Sequence, residues 1–250
     1  MKPGVRLLVL VGFAVSFIAG GVIGYNMARP APKPEPVVKV VPSPSPNARP
    51  PIVLSDEATK ASATLADAKA ADTARTQAIN RLLQEKAPGL DDTLLKVLDD
   101  PAENPTMKAV ALQTLGRAAP PNETAVAKMQ TYLDGADVTM RRLALQGLCR
   151  LKDPVGKETA VRWLNDDGKD ANKVRDMAIY CVRDLGLKDQ IPAIRKHARD
   201  GSDVIRMAAL TVLAEWRDVE SLDAMKEAAE AGSPALRKVG KEAVEKVGKP

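Results

Sequence analysis

Six nine-residue segments of this chain align without gaps: ARTQAINRL (74–82), MKAVALQTL (107–115), MRRLALQGL (140–148), VRDMAIYCV (174–182), IRMAALTVL (205–213) and LRKVGKEAV (236–244). Their starts lie 33, 33, 34, 31 and 31 residues apart. Position 5 is Ala78, Ala111, Ala144, Ala178, Ala209 or Gly240, and positions 6 and 9 are aliphatic except for Lys241. Positions 1, 5, 6 and 9 share one face of a helix, so each segment is predicted to be helical and buried along that face. A short break and a second apolar helix follow each segment. The ends of these second helices also align, at Leu98, Leu133, Leu164, Ala198 and Ala229. One turn earlier come Leu94, Met129, Ala160, Ile194 and Met225, read as their inner face.

A two-helix unit repeated at this period predicts an all-α fold, an α-solenoid over residues 55–250. The count is a leading helix over 55–67 that begins near the capping residue Ser55 and stays unpaired, five hairpins from about 72 to 232, and a last helix. Lys241 suits that last helix, because a terminal repeat lacks a neighbour and its outer face must meet water.

The N-terminal quarter has a different pattern. Leu7 to Tyr25 is an uncharged run of 19 residues. As a helix it would measure about 28 Å, close to the hydrocarbon thickness of a bilayer. Residues 1–25 are therefore expected to be a single transmembrane anchor, longer than the apolar core of a cleaved signal peptide; a signal peptide cut after Gly24 is the other reading. Gly12, Ser16, Gly20 and Gly24 recur every four positions. Such a stripe lets two membrane helices approach closely, which would make a homo-oligomer, although glycine is also simply common in membrane helices. A short N-terminus retained in the cytoplasm would leave the remainder outside the inner membrane, in a periplasm. Residues 26–54 hold nine prolines and are expected to be a disordered, extended linker reaching up to about 90 Å at about 3.1 Å per residue.

Charge refines this division. The net charge of +5 comes from residues 1–54, with six Lys or Arg against Glu35, whereas residues 55–250 hold 31 basic and 31 acidic groups. A neutral repeat domain offers nucleic acid no basic surface, so no nucleic-acid partner is expected. Cys149 and Cys181 form no CxxC pair, and with the lone His197 they are too few for a zinc site. They are read as two small buried thiols on neighbouring helices, with a disulfide as the alternative in an oxidising compartment. No phosphate-cradling glycine loop or nucleophile elbow occurs, and neither an enzyme nor a cofactor is expected.

The alignment marks one row of candidate binding residues. The position before each second-helix end reads Val97, Tyr132, Trp163, His197 and Ala228. Equivalent positions stack side by side in a solenoid, so Tyr132, Trp163 and His197 would form a contiguous stripe. Arg162 and Lys196 edge it, and Lys128 lies one turn from Tyr132. Tyr, Trp and Arg are common interface anchors, which makes this row the expected surface for a protein partner; the competing reading folds the rings inward to fill gaps between hairpins. Of the other aromatics, Trp216 aligns with Leu151 and Leu185 and is expected in the core, and Tyr180 aligns with Gln113, Gln146 and Thr211 and is expected outside.

The chain resembles the HEAT-repeat family, including its short bacterial forms. The likeness rests on the period near 32 and on an acid in the inter-repeat turn followed by an aliphatic-Arg pair: Asp134 with Met140-Arg141, Asp167 with Val174-Arg175, and Asp200 with Ile205-Arg206. Lys108 replaces Arg in one copy, and Glu230 precedes Leu236-Arg237 in the last. The resemblance implies a stack of hairpins, and implies that the basic ladder Arg75, Lys108, Arg141, Arg175, Arg206 and Arg237 bridges to acids of adjacent turns. It makes a membrane-tethered protein-interaction scaffold the expected function, with a HEAT-like lyase or enzyme accessory protein of the cell envelope as the alternative. The di-iron hydroxylases of the family use repeated His-Glu pairs, and here Ala198 follows His197.

Overall fold

The computed structural model describes residues 54–118, 120–168 and 170–248. The expected anchor, its small-residue stripe and nearly all of the proline-rich linker lie outside them. Among the described residues, no helix is long and apolar enough to cross a membrane.

Twelve α-helices follow one another among the described residues: α1 (Asp56–Ala66), α2 (Asp72–Gln84), α3 (Leu90–Asp99), α4 (Pro105–Leu115), α5 (Glu123–Tyr132), α6 (Val138–Arg150), α7 (Pro154–Asn165), α8 (Arg175–Asp184), α9 (Ile191–Asp200), α10 (Asp203–Glu215), α11 (Leu222–Ala231) and α12 (Pro234–Gly248). Local chemistry sets their starts. The side chains of Ser55, Asn104, Asn122, Asp137 and Asp153 each accept hydrogen bonds from backbone amides of the first turn, amides that otherwise have no partner. Proline occupies the first turn of α4, α7 and α9, where its missing N–H costs nothing. Four of the even-numbered helices, α2, α6, α8 and α10, end on a left-handed residue: Lys86, Lys152, Gly186 and Arg217.

The repeat positions are buried as the spacing predicts. Position 6 places Ile79, Leu112, Leu145, Ile179 and Leu210 in the core, and position 9 places Leu82, Leu115, Leu148, Val182 and Leu213 there. Each such side chain contributes roughly 1.5–3 kcal/mol. Leu94, Met129, Ala160, Ile194 and Met225, the inner face of the second helices, are fully buried. Lys241 is exposed on α12.

Packing redraws the expected hairpins. Each odd-numbered helix makes its most extensive contact with the even helix that follows it: α1 with α2, α3 with α4, α5 with α6, α7 with α8, α9 with α10 and α11 with α12. Each pair consists of the second helix of one sequence repeat and the first helix of the next. Even-numbered helices also pack on one another in chain order, from α2 to α12. The leading helix is therefore not unpaired: α1 buries Ala58, Ala61 and Leu65 and packs on α2. Small residues at the crossings allow this closeness. A Cβ added to Gly116, at the end of α4, would stand 2.6 Å from the Cα of Gly147 in α6, so the two backbones touch.

Two aromatic side chains depart from expectation. Tyr180, expected outside, is half-buried, with the Arg183 guanidinium 5.1 Å from its ring centre. Burial raises its phenol pKa. Trp216, expected in the core, is only partly covered, because it caps the end of α10.

Candidate functional site

The second-helix row does stack, and it stacks inward. Trp163 and His197 are each 7% exposed, Val97 and Ala228 are buried, and Tyr132 is half-buried. The Tyr132 hydroxyl donates to the Leu98 carbonyl at 3.5 Å, from α5 to α3. His197 Nε2 lies 2.7 Å from the Leu164 carbonyl, from α9 to α7. A carbonyl only accepts, so this nitrogen carries the proton. Both side chains reach the last turn of the preceding second helix, whose carbonyls have no partner within the helix. The expected exposed stripe of Tyr132, Trp163 and His197 is corrected to a largely buried row, in which Tyr132 and His197 tie neighbouring second helices. Burial lowers the His197 pKa and raises that of Tyr132.

The edge residues remain outside. Lys128 pairs with Asp99 and lies 5.9 Å from the Tyr132 ring centre. Its hydrogen bond to Asp99 raises its pKa. Arg162 lies 3.8 Å from Asp134, more than half exposed. Lys196 is exposed. Lys128 thus links α5 to the end of α3, and Arg162 links α7 to the residues that follow α5.

Four residues of the basic ladder are structural, through a different partner from the one the resemblance implies. Arg75 Nε donates to the Leu65 carbonyl at 3.2 Å, Arg206 Nε to the Ala198 carbonyl at 3.1 Å, and Arg237 Nη1 to the Gly232 carbonyl at 2.8 Å. Arg175 donates to the Asp166 carbonyl. In each case the guanidinium caps the C-terminal end of the helix paired with its own, where carbonyl dipoles concentrate negative charge. Arg75 also binds an acid of an adjacent turn, holding both Glu103 oxygens at 2.8 and 2.6 Å, and Arg206 binds an acid within α11, Glu227, at 3.3 Å. The Arg75–Glu103 pair is almost fully buried, and the Arg75 hydrogen bond holds the Glu103 carboxyl below its usual range.

A concavity among the described residues lies elsewhere. It is an open groove of about 660 Å³ between the α2–α3 turn and the α4–α5 turn. Leu82, Leu83, Ala87 and Leu90 form its apolar floor, Pro120 and Pro121 one wall, and Lys86, Asp91, Asp92 and Arg117 its charged rim. Leu83 is 37% exposed, one of four large apolar side chains that stand exposed among the described residues. This groove lies outside the aligned row of second-helix positions. Its sequence signal is the connection over residues 116–122, whose two consecutive prolines break the repeat pattern. Among the described residues, no three His, Cys, Asp or Glu side chains group closely enough to share a metal ion.

Residues 126–210 match the family model of HEAT repeats. Over those residues the chain is similar to HEAT repeats. No curated protein sequence matches it. Among solved structures, the complex of CpcE and CpcF of phycocyanin lyase from Nostoc sp. PCC7120 is similar at 19% identity over 83% of this chain and 82% of that one, with a TM-score of 0.51. A designed armadillo repeat protein in complex with the peptide (KR)4 is similar at 16% identity over 76% of this chain and 91% of that one, with a TM-score of 0.44. At these identities the likeness concerns the fold. The capped helix ends and the stacked ties describe how the repeats hold together, and the groove is a feature that internal packing leaves open.

Proposed function

We propose that this protein is a membrane-tethered interaction scaffold, and that the groove between the α2–α3 and α4–α5 turns receives an apolar segment of a partner protein. The observation that carries this reading is the groove itself. Two neighbouring repeats build it, its floor is apolar, and Leu83 stands exposed in it. Such a surface gives an anchor side chain a desolvated pocket with a charged rim around it. HEAT repeats supply the rigid support. In this reading residues 7–25 hold the chain in the inner membrane, with the repeats on the extracytoplasmic side, and the proline-rich linker sets their distance from the bilayer.

The test is recovery of the full chain from crosslinked membranes. One protein complex should co-purify in fixed ratio with the wild type and be lost with Leu83→Asp, while the helical circular-dichroism signal stays unchanged. Retention of the complex by Leu83→Asp overturns the groove assignment. Extraction of the chain by alkaline carbonate overturns the anchor, and reporter fusions at each terminus decide the side. A chromophore absorbing in the purified protein, with no protein partner, would favour the lyase or accessory reading.

A further inference from the structure

Consecutive even-numbered helices pack on one another. At the α4–α6 crossing, the tenth residue counted from the start of one nonapeptide meets the eighth residue of the next. These are Gly116 and Gly147, whose backbones touch. One crossing further on, between α6 and α8, the same two positions are Cys149 and Cys181. Both are free thiols, exposed by 2% and 1%. The Cys181 thiol is within hydrogen-bonding reach of Cys149. Cys149 in turn donates to the Gly156 carbonyl at 3.5 Å.

A disulfide requires Cα atoms roughly 4.4–6.8 Å apart and side chains aimed at one another. Equivalent positions at which two backbones touch in the glycine pair, and at which the two thiols are within hydrogen-bonding reach in the cysteine pair, bring the sulfurs close enough to seek that geometry. A chance pair of buried thiols would rarely fall at equivalent positions of adjacent repeats and in mutual contact.

We infer that Cys149 and Cys181 are a disulfide-forming pair that joins α6 to α8 when the chain folds under oxidising conditions. In the reaction each thiol gives up its proton and the two sulfurs give up two electrons between them as one S–S bond forms. A disulfide oxidant, such as oxidised glutathione or a protein disulfide, accepts those electrons and protons and leaves as two thiols. Exchange passes through a mixed disulfide, which needs access to one sulfur. The buried pair therefore reacts as α6 and α8 dock, or in a transiently opened chain, and is protected from reduction once folded. The bond would bridge the pair α5–α6 and the pair α7–α8, at the centre of the array.

The test refolds the full chain in detergent from denaturant, with an oxidised glutathione buffer and with a thiol reductant. Oxidised monomer should show no titratable thiol after denaturation, a mass lower by two hydrogens, and one crosslinked peptide containing both cysteines. Its thermal midpoint should fall by several degrees on reduction. Cys149→Ser and Cys181→Ser should each keep one free thiol and lose that reductant-dependent shift. Two free thiols in a helical monomer refolded with oxidised glutathione overturn the inference, as do disulfides found only between chains. Should a serine variant fail to fold, thiol count and mass of the wild type decide alone.

Discussion

The Nε2 of His197 lies 2.7 Å from the carbonyl oxygen of Leu164, 33 residues earlier in the chain. Two repeats earlier in the array, the Tyr132 hydroxyl makes the same reach to Leu98. A polar side chain buried at this seam satisfies itself and a helix-end carbonyl together, which is why an otherwise apolar row tolerates a histidine and a tyrosine.

His197 gives the fold a pH dependence of definite sign. Burial holds its pKa below the ordinary value of 6.5, so the unfolded chain takes up the proton first as pH falls. Stability from this group is complete above that ordinary value, declines as pH drops below it, and levels off under the folded pKa. Thermal melts between pH 8 and pH 5 should show a decline that His197→Gln reduces. His197→Ala, which strands the Leu164 carbonyl, should cost about 1–3 kcal/mol at neutral pH.

Glu103 acts at a lower pH. Its carboxyl, held by Arg75, titrates below its ordinary 4.5 in the folded chain. Its contribution is whole above that value and is lost as pH falls through the folded pKa. Glu103→Ala leaves the Arg75 guanidinium nearly buried without its acid and should cost on the order of 3 kcal/mol, read from urea unfolding at pH 7. Below the folded pKa the difference between variant and wild type should shrink.

Backbone contact makes Gly116 intolerant of any side chain. Gly116→Ala would force its methyl to 2.6 Å from Gly147 Cα, and α4 and α6 would have to separate. A loss of about 1–3 kcal/mol is expected, with the helical content of the folded state retained. An unchanged unfolding midpoint would show that the two helices separate without cost.

Left-handed helix ends allow a paired test. Gly186 has φ +68°, and no atom lies within 4 Å of where an alanine methyl would stand, so Gly186→Ala should cost about 1 kcal/mol through backbone strain alone. Lys152 holds φ +57° with a full side chain. Lys152→Gly should stabilise by roughly half as much, because glycine's freer unfolded chain offsets part of the relief. Denaturant midpoints of the two variants should move in opposite directions.

Much of the fold was legible in particular residues. Ala111, Leu112 and Leu115 recur in kind at every repeat but the last, and helical spacing fixes which way they face. The row of Tyr132, Trp163 and His197 was legible as a row but not in its direction. The second helices are only 10–12 residues long, and α3, for example, buries Leu94, Leu95, Val97 and Leu98. A face that wide does not say where its edge lies. The ladder was legible as structural, yet its acceptors are main-chain carbonyls, which no side-chain alignment displays. The groove escaped because a turn's path makes it: Pro120 and Pro121 lie outside the repeated positions, and Leu83 directly follows one of them.

The offset between sequence repeat and packed pair bears on how the array comes apart. Each odd helix depends most on the even helix after it, so a terminus that opens sheds two helices at once: α12 leaves α11 with little to hold it. Amide exchange should then fall into steps of one packed pair, with α11 and α12 exchanging together and the central pairs slowest. A shortened array that keeps its ends intact begins with an odd helix and finishes with an even one, a rule that the aligned nonapeptides, which all mark even helices, do not reveal.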